Sequence, residues 1–111
     1  MRIFISAPYS AKTDEAVEAN VSLAVDASIA LLQKGHIPYC PHLSHYIHLR
    51  AKEQKIKFSH SQWVLQGLVW LGMCQAVIFL GDWKNSKGCQ EEYLLACRNK
   101  MQIFYDLKEV T

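Results

Sequence analysis

Neither a C-x-x-C pair nor the paired-cysteine spacing of a zinc site occurs among the four cysteines, Cys40, Cys74, Cys89 and Cys97. In a chain that is 50% hydrophobic, such scattered thiols read as reduced core residues of a cytoplasmic protein. Charge of one sign is equally scarce. Twelve basic and ten acidic side chains leave +2 with the five histidines neutral, too little to indicate a nucleic-acid polymer or a membrane surface as partner. The most apolar window, Trp63 to Leu80, contains Gln66, Gly67, Gly72 and Gln75 and makes a poor membrane span. At the start, Arg2 precedes only a few apolar residues before Pro8, Ser10 and Lys12, which does not resemble a signal peptide. Repeats, low-complexity tracts and linkers are missing, and half-apolar content excludes intrinsic disorder. With 111 residues there is room for one core, so residues 1–111 are expected to form a single domain.

What is present alternates between strand-like and helix-like segments. Arg2 to Ser6 is a short β-branched and aromatic run suited to a strand buried on both faces. Thr13 offers an N-cap, with Asp14 and Glu15 in the first turn. Val17, Val21, Ala24, Ser28 and Leu31 then form one stripe of a helix of about six turns, closed by Gly35 as a left-handed cap. His36 to Cys40 reads as a strand, placed at an edge because Pro38 cannot donate to a ladder. Pro41 to His60 is polar, with one helical piece around Ser44 to Gln54. Ser59 or Ser61 can cap a helix from Gln62 to Met73 that is apolar almost all round, so either both of its faces are buried or one meets another subunit. Ala76 to Gly81 is the strongest strand signal, without polar alternation, as a central parallel strand requires. A loop from Asp82 to Lys87, a helix from Gly88 to about Asn99 and a strand from Gln102 to Leu107 follow. The pattern predicts a doubly wound α/β fold with a parallel sheet of four to five strands. Folds of this kind bind ligands beyond the carboxyl ends of the strands, where the strand order reverses.

Three loops reach that edge: Ala7 to Lys12, the segment from Pro41, and Asp82 to Lys87. In the third, Ser86-Lys87-Gly88 precedes a helix whose free N–H groups favour an anion. Gly88 admits close backbone approach, Ser86 adds a hydroxyl and Lys87 a charge; the plainer alternative is a simple N-cap and an easy turn. Glu91 and Glu92 lie just inside the helix, about 100° apart around it, so one of them is expected to face the crevice. His42, His45 and His48, three residues apart, would share one face of a helix, and two of them could bind one metal ion. No carboxylate or cysteine nearby in sequence completes that set. The histidines are read as loop residues at a pocket mouth, with His42 touching substrate and no metal or other cofactor expected. Trp63 and Trp70 are read as core or subunit contacts rather than as a stacking platform for bases.

The order and spacing of Ile3-Phe4-Ile5-Ser6-Ala7-Pro8-Tyr9, the long helix to Gly35, Trp70-Leu71, Cys74-Gln75-Ala76-Val77 and Ser86-Lys87-Gly88-Cys89-Gln90-Glu91-Glu92 resemble the nucleoside 2-deoxyribosyltransferase superfamily. That superfamily includes deoxynucleoside 5′-monophosphate N-glycosidases and small microbial and phage members. The resemblance spans nearly the whole chain and implies a flavodoxin-like fold. It also implies a glutamate nucleophile four residues after the loop glycine, which is Glu92. Such a residue attacks the anomeric carbon, expels the base and leaves a glycosyl ester for water or a second base. A serine two residues before the glycine, here Ser86, marks the branch that binds a 5′-phosphate; the transferase branch usually has an acidic residue there. Ser6, Ala7, Pro8 and Tyr9 fall where the family lines the base and sugar pocket, and the family works as homo-oligomers.

Two positions depart from the pattern. The aspartate usual on the helix before the central strand falls at Gly67, beside Gln66, and a second one falls at Gln75. The first loss removes the obvious proton donor, and general acid help is typically worth about 10²–10⁴ in rate. Asp82, at the end of the strongest strand, is the candidate substitute. An acid within reach of the Glu92 carboxylate would favour chemistry, and none would favour a nucleotide-binding module that kept the pocket alone.

Overall fold

In the computed structural model, which describes residues 1–111, the apolar run Arg2–Ser6 forms strand β1, buried from Ile3 onward. Helix α1 (Asp14–Gln33) starts at Thr13, whose hydroxyl accepts from the Ala16 amide at 3.1 Å. It ends where Gly35 turns to φ 85°, with Gly35 N donating to Leu32 O and His36 N to Leu31 O. That pair of bonds satisfies the last carbonyls in a Schellman arrangement. Strand β2 (Ile37–Tyr39) follows, then a 3₁₀ turn at Pro41–Leu43, helix α2 (Ser44–Glu53) and helix α3 (His60–Gly72). Ser59 caps α3 in a reciprocal box with Gln62, at 3.2 and 2.8 Å, which settles the choice between Ser59 and Ser61. Strand β3 (Ala76–Phe79), helix α4 (Lys87–Arg98) and strand β4 (Gln102–Phe104) complete the order. The last strand stops at Phe104, short of the expected Leu107. There Asp106 accepts from the Lys108 amide at 2.8 Å and starts a 3₁₀ turn at Leu107–Glu109.

The sheet has four parallel strands in the order β2-β1-β3-β4, with β2 at the edge that Pro38 requires. Alternation along the strands divides the core into two layers. Ile3, Ile5, Ala76, Ile78 and Phe104 pack with Ala24, Ala27 and Leu31 of α1 on one face. Phe4, Val77 and Phe79 pack with Leu71 of α3 and Ala96 of α4 on the other. Helices thus cover both faces of a doubly wound, flavodoxin-like α/β domain. Ser6 shares parity with Phe4, so its side chain belongs to the α3 and α4 layer. That placement governs the site.

Of the two alternatives for α3, burial on both faces is excluded: the helix buries Leu71 alone, while Leu65, Val69 and Trp70 are exposed, as is Met73 at its C-cap. The expectation of core thiols is corrected. Of the four cysteines, all free thiols, only Cys40 and Cys89 are buried; Cys74 is half-buried and Cys97 exposed. No helix is long and apolar enough to cross a membrane.

Candidate functional site

Strand order reverses between β1 and β3, and a cavity of about 570 Å³ opens beyond the carboxyl ends of the strands. The three loops named above all reach it: Ala7 to Ser10, Pro41 and His42, and Asp82 to Gly88. One wall comes from α3 through Trp63, Gly67 and Leu68, another from α4 through Cys89, Glu91 and Glu92. Loop Asp82 to Ser86 is anchored rather than free. Trp83 lies 4.7 Å from Phe79 and 5.3 Å from Tyr93, ring centre to ring centre, and Gln90 Nε2 donates to Lys84 O at 2.6 Å.

Glu92 is the focus of the cavity. Its Oε1 accepts a hydrogen bond from Ser6 Oγ at 2.7 Å, and Ser6 is fully buried. Burial pushes the Glu92 carboxyl from 4.5 up to about 7; the Ser6 hydroxyl pulls it down, and the neighbouring Glu91 carboxylate adds to the rise. A carboxylate desolvated in a cleft and held by a single donor is chemically suited to act as an acid, base or nucleophile. Both Glu91 and Glu92 border the cavity, which corrects the expectation that only one would; the angle between them aims Glu92 alone at Ser6.

At the amino end of α4, Ser86 Oγ accepts from the Cys89 amide at 3.3 Å. That bond uses one first-turn donor, and helix geometry leaves those of Lys87 and Gly88 without intrahelical partners. Ser86, Lys87 and Gly88 all line the cavity. An anion there would meet backbone N–H groups, a hydroxyl and the Lys87 ammonium.

Ser6 enters the site through Glu92 and not as a cavity wall, because its side chain is covered by the sheet and α4. His42 is a correction of a similar kind. Its ring borders the cavity, but Nε2 is engaged with the Ala7 and Pro8 carbonyls at 3.0 and 3.1 Å, and Nδ1 is buried without a partner. Burial lowers its pKa, with those carbonyls opposing, so the ring is neutral and secures the β1 loop. Asp82, the candidate substitute for the missing aspartate, is not hydrogen-bonded to Glu92, whose side-chain partner is Ser6. Asp82 is exposed, it borders the cavity, and Asn85 Nδ2 donates to both of its oxygens at 2.8 and 3.0 Å. Trp63 lines the cavity instead of the core, while Trp70 stacks on Tyr39 at 5.2 Å. The three histidines do not converge: His42 holds a loop, His45 is buried against Tyr9 and Glu18, and His48 stands exposed on the cavity wall. No group of three His, Cys, Asp or Glu side chains is arranged to hold a metal ion.

Gly67 of α3 stands opposite the Glu92 carboxylate. A Cβ built there would lie 3.7 Å from Glu92 Oε2, ordinary van der Waals contact. Glycine inside a helix costs about 1 kcal/mol relative to alanine. Gly67→Ala is therefore expected to stabilise the fold by about 0.5–1 kcal/mol, read as a higher urea midpoint at pH 5, where Glu92 is protonated. An unchanged or lower midpoint would contradict the space described here.

No curated protein matches the chain. A family profile does, over residues 1–106. The chain belongs to the family described as Domain of unknown function (DUF7768).

Proposed function

We propose that this protein cleaves or transfers the N-glycosidic bond of a nucleoside or nucleoside 5′-monophosphate, with Glu92 as nucleophile. One observation carries the reading: a desolvated carboxylate, held by Ser6, shares a cavity with an anion-ready helix terminus. The volume of about 570 Å³ falls in the range of small-molecule sites.

Oε1 is occupied by Ser6, so Oε2, facing Gly67, is the attacking atom. Its bond to the anomeric carbon forms as the carbon–nitrogen bond breaks, the electron pair leaving with the base nitrogen, which takes a proton. Water or a second base then resolves the ester. The Ser6 hydroxyl favours the ionised form that attack needs. Ser86, Gly88 and Lys87 would receive the 5′-phosphate. A homo-oligomer and a cytoplasmic location belong to the same proposal, the exposed apolar side of α3 being where a second copy would dock.

A second reading, a nucleotide-binding module without turnover, is favoured by Gly67 and by the lack of an acid hydrogen-bonded to Glu92. Incubation with a panel of nucleosides and their 5′-monophosphates separates the two, with chromatography for free base and melting temperature for binding. Free base is the expected result. A raised melting temperature without base, after long incubation at high protein, would transfer the conclusion to the binding module, and neither signal would refute both.

A further inference from the structure

The cavity holds a second polar chain, separate from Glu92 and Ser6. Tyr9 lines the cavity, and its Oη lies 2.7 Å from His45 Nδ1. His45 is buried, and its Nε2 lies 3.1 Å from Glu18 Oε1 on α1. Tyr9 is fixed at its other end as well, where Asn20 Nδ2 donates to its backbone carbonyl at 3.0 Å. Three elements, α1, α2 and the β1 loop, are thus spent on aiming one phenol. A buried histidine between a carboxylate and a hydroxyl is a proton-relay geometry, in which the carboxylate orients the ring and balances an imidazolium.

We propose that Tyr9 is the general acid that protonates the departing base, with His45 and Glu18 as the residues that position and recharge it. The inference rests on the N-glycosidic reading above. It supplies the donor that Gly67 cannot. Tyr9 follows Ser6 by three residues, so its Cα lies within about 10 Å of the Cα that anchors Glu92, a span set by backbone length. Tyr9 and Glu92 also line one cavity of about 570 Å³, a volume in the range of small-molecule sites.

When His45 carries both protons, Nε2–H donates to Glu18 and Nδ1–H to Tyr9 Oη, leaving the phenol proton free to face the cavity. As the carbon–nitrogen bond breaks, that proton passes to the base nitrogen. The Nδ1 proton then passes to the phenolate oxygen, leaving neutral His45 to be recharged from solvent. Burial and the Glu18 carboxylate raise the Tyr9 pKa, so the phenol does not lose its proton before the step.

Leaving-group dependence tests this. A pyridinium N-glycoside 5′-phosphate departs as neutral pyridine and needs no proton, whereas a purine 5′-monophosphate does. Tyr9→Phe keeps the ring and removes the hydroxyl. It is expected to slow purine release by about 10²–10⁴ and pyridine release by less than about threefold. His45→Gln should show the same selectivity with a smaller loss, and Glu92→Gln should abolish both releases. Equal slowing of both substrates by Tyr9→Phe, or no slowing of either, would overturn the assignment while leaving the nucleophile intact. Failure of the wild-type protein to release either leaving group would refute the N-glycosidic reading, and this proposal with it.

Discussion

Glu92→Gln is expected to stop base release, by about three orders of magnitude or more as when other enzymes lose a nucleophile, and to raise stability at alkaline pH. Glutamine keeps the shape and still accepts from the Ser6 hydroxyl, but its amide oxygen cannot form a lasting ester. Nucleotide binding should survive, since the phosphate contacts proposed at Ser86, Lys87 and Gly88 do not use the Glu92 side chain. The stability effect follows from the raised pKa. Below about pH 4.5 the carboxyl is protonated whether the chain is folded or unfolded, so it favours neither state. Between 4.5 and about 7 the unfolded chain releases the proton first, and the folded state loses stability as pH rises. Above about 7 the loss is complete. At about 1.4 kcal/mol per pKa unit, and discounted because Glu92 is partly exposed, the carboxylate costs on the order of 2 kcal/mol. Glu92→Gln should therefore melt roughly 5–10 °C above wild type at pH 8 and level with it at pH 4. Equal melting temperatures at both values would mean that the carboxylate is well solvated.

Ser86→Asp is expected to separate phosphate recognition from the rest of the site. Aspartate caps a helix as well as serine does and suits the dipole, so the fold should change by less than about 0.5 kcal/mol. A carboxylate facing a phosphate is another matter. Two like charges at 4 Å repel by about 4 kcal/mol near a protein surface, and water reduces that further. Binding of a nucleoside 5′-monophosphate should weaken by about 30- to 300-fold, and binding of the nucleoside by less than about threefold. Calorimetric titration with both ligands reads this directly. Equal losses for the two ligands would place the phosphate elsewhere.

Much of the fold could be read from residue order because its signals are local. The unbroken run Ala76-Val77-Ile78-Phe79 declares a central strand, Pro38 an edge and Gly35 a helix end, and each formed where expected. The helix Ser44–Glu53 was legible only as a possibility in a polar stretch, and its burial of His45 was not legible at all. The site divides along the same line. Ser86, Gly88 and Glu92 sit within one loop and helix, so spacing alone places them together. The bond from Ser6 to Glu92 joins residues 86 apart, and only strand parity hints at it: a serine in step with Phe4 at the end of an apolar strand must find a polar partner among the helices. Tyr9, His45 and Glu18 come from three elements whose approach no local pattern encodes. Asp82 is conspicuous for its position at a strand end, but position does not fix direction, and its oxygens accept from Asn85.

The proposed reaction depends on Glu92 bonding to an anomeric carbon, and trapping that bond is its most direct test. A 2-deoxy-2-fluoro nucleoside 5′-monophosphate slows hydrolysis of a glycosyl ester, because fluorine destabilises the oxocarbenium-like transition state. After incubation and acid quench, mass spectrometry of the digested protein should find a fluorinated pentose phosphate on the peptide containing Glu92, in amount equal to the base released. Base released with that peptide unmodified and the sugar on another residue, or no base and no adduct under saturating nucleotide, would contradict the assignment of Glu92 as nucleophile.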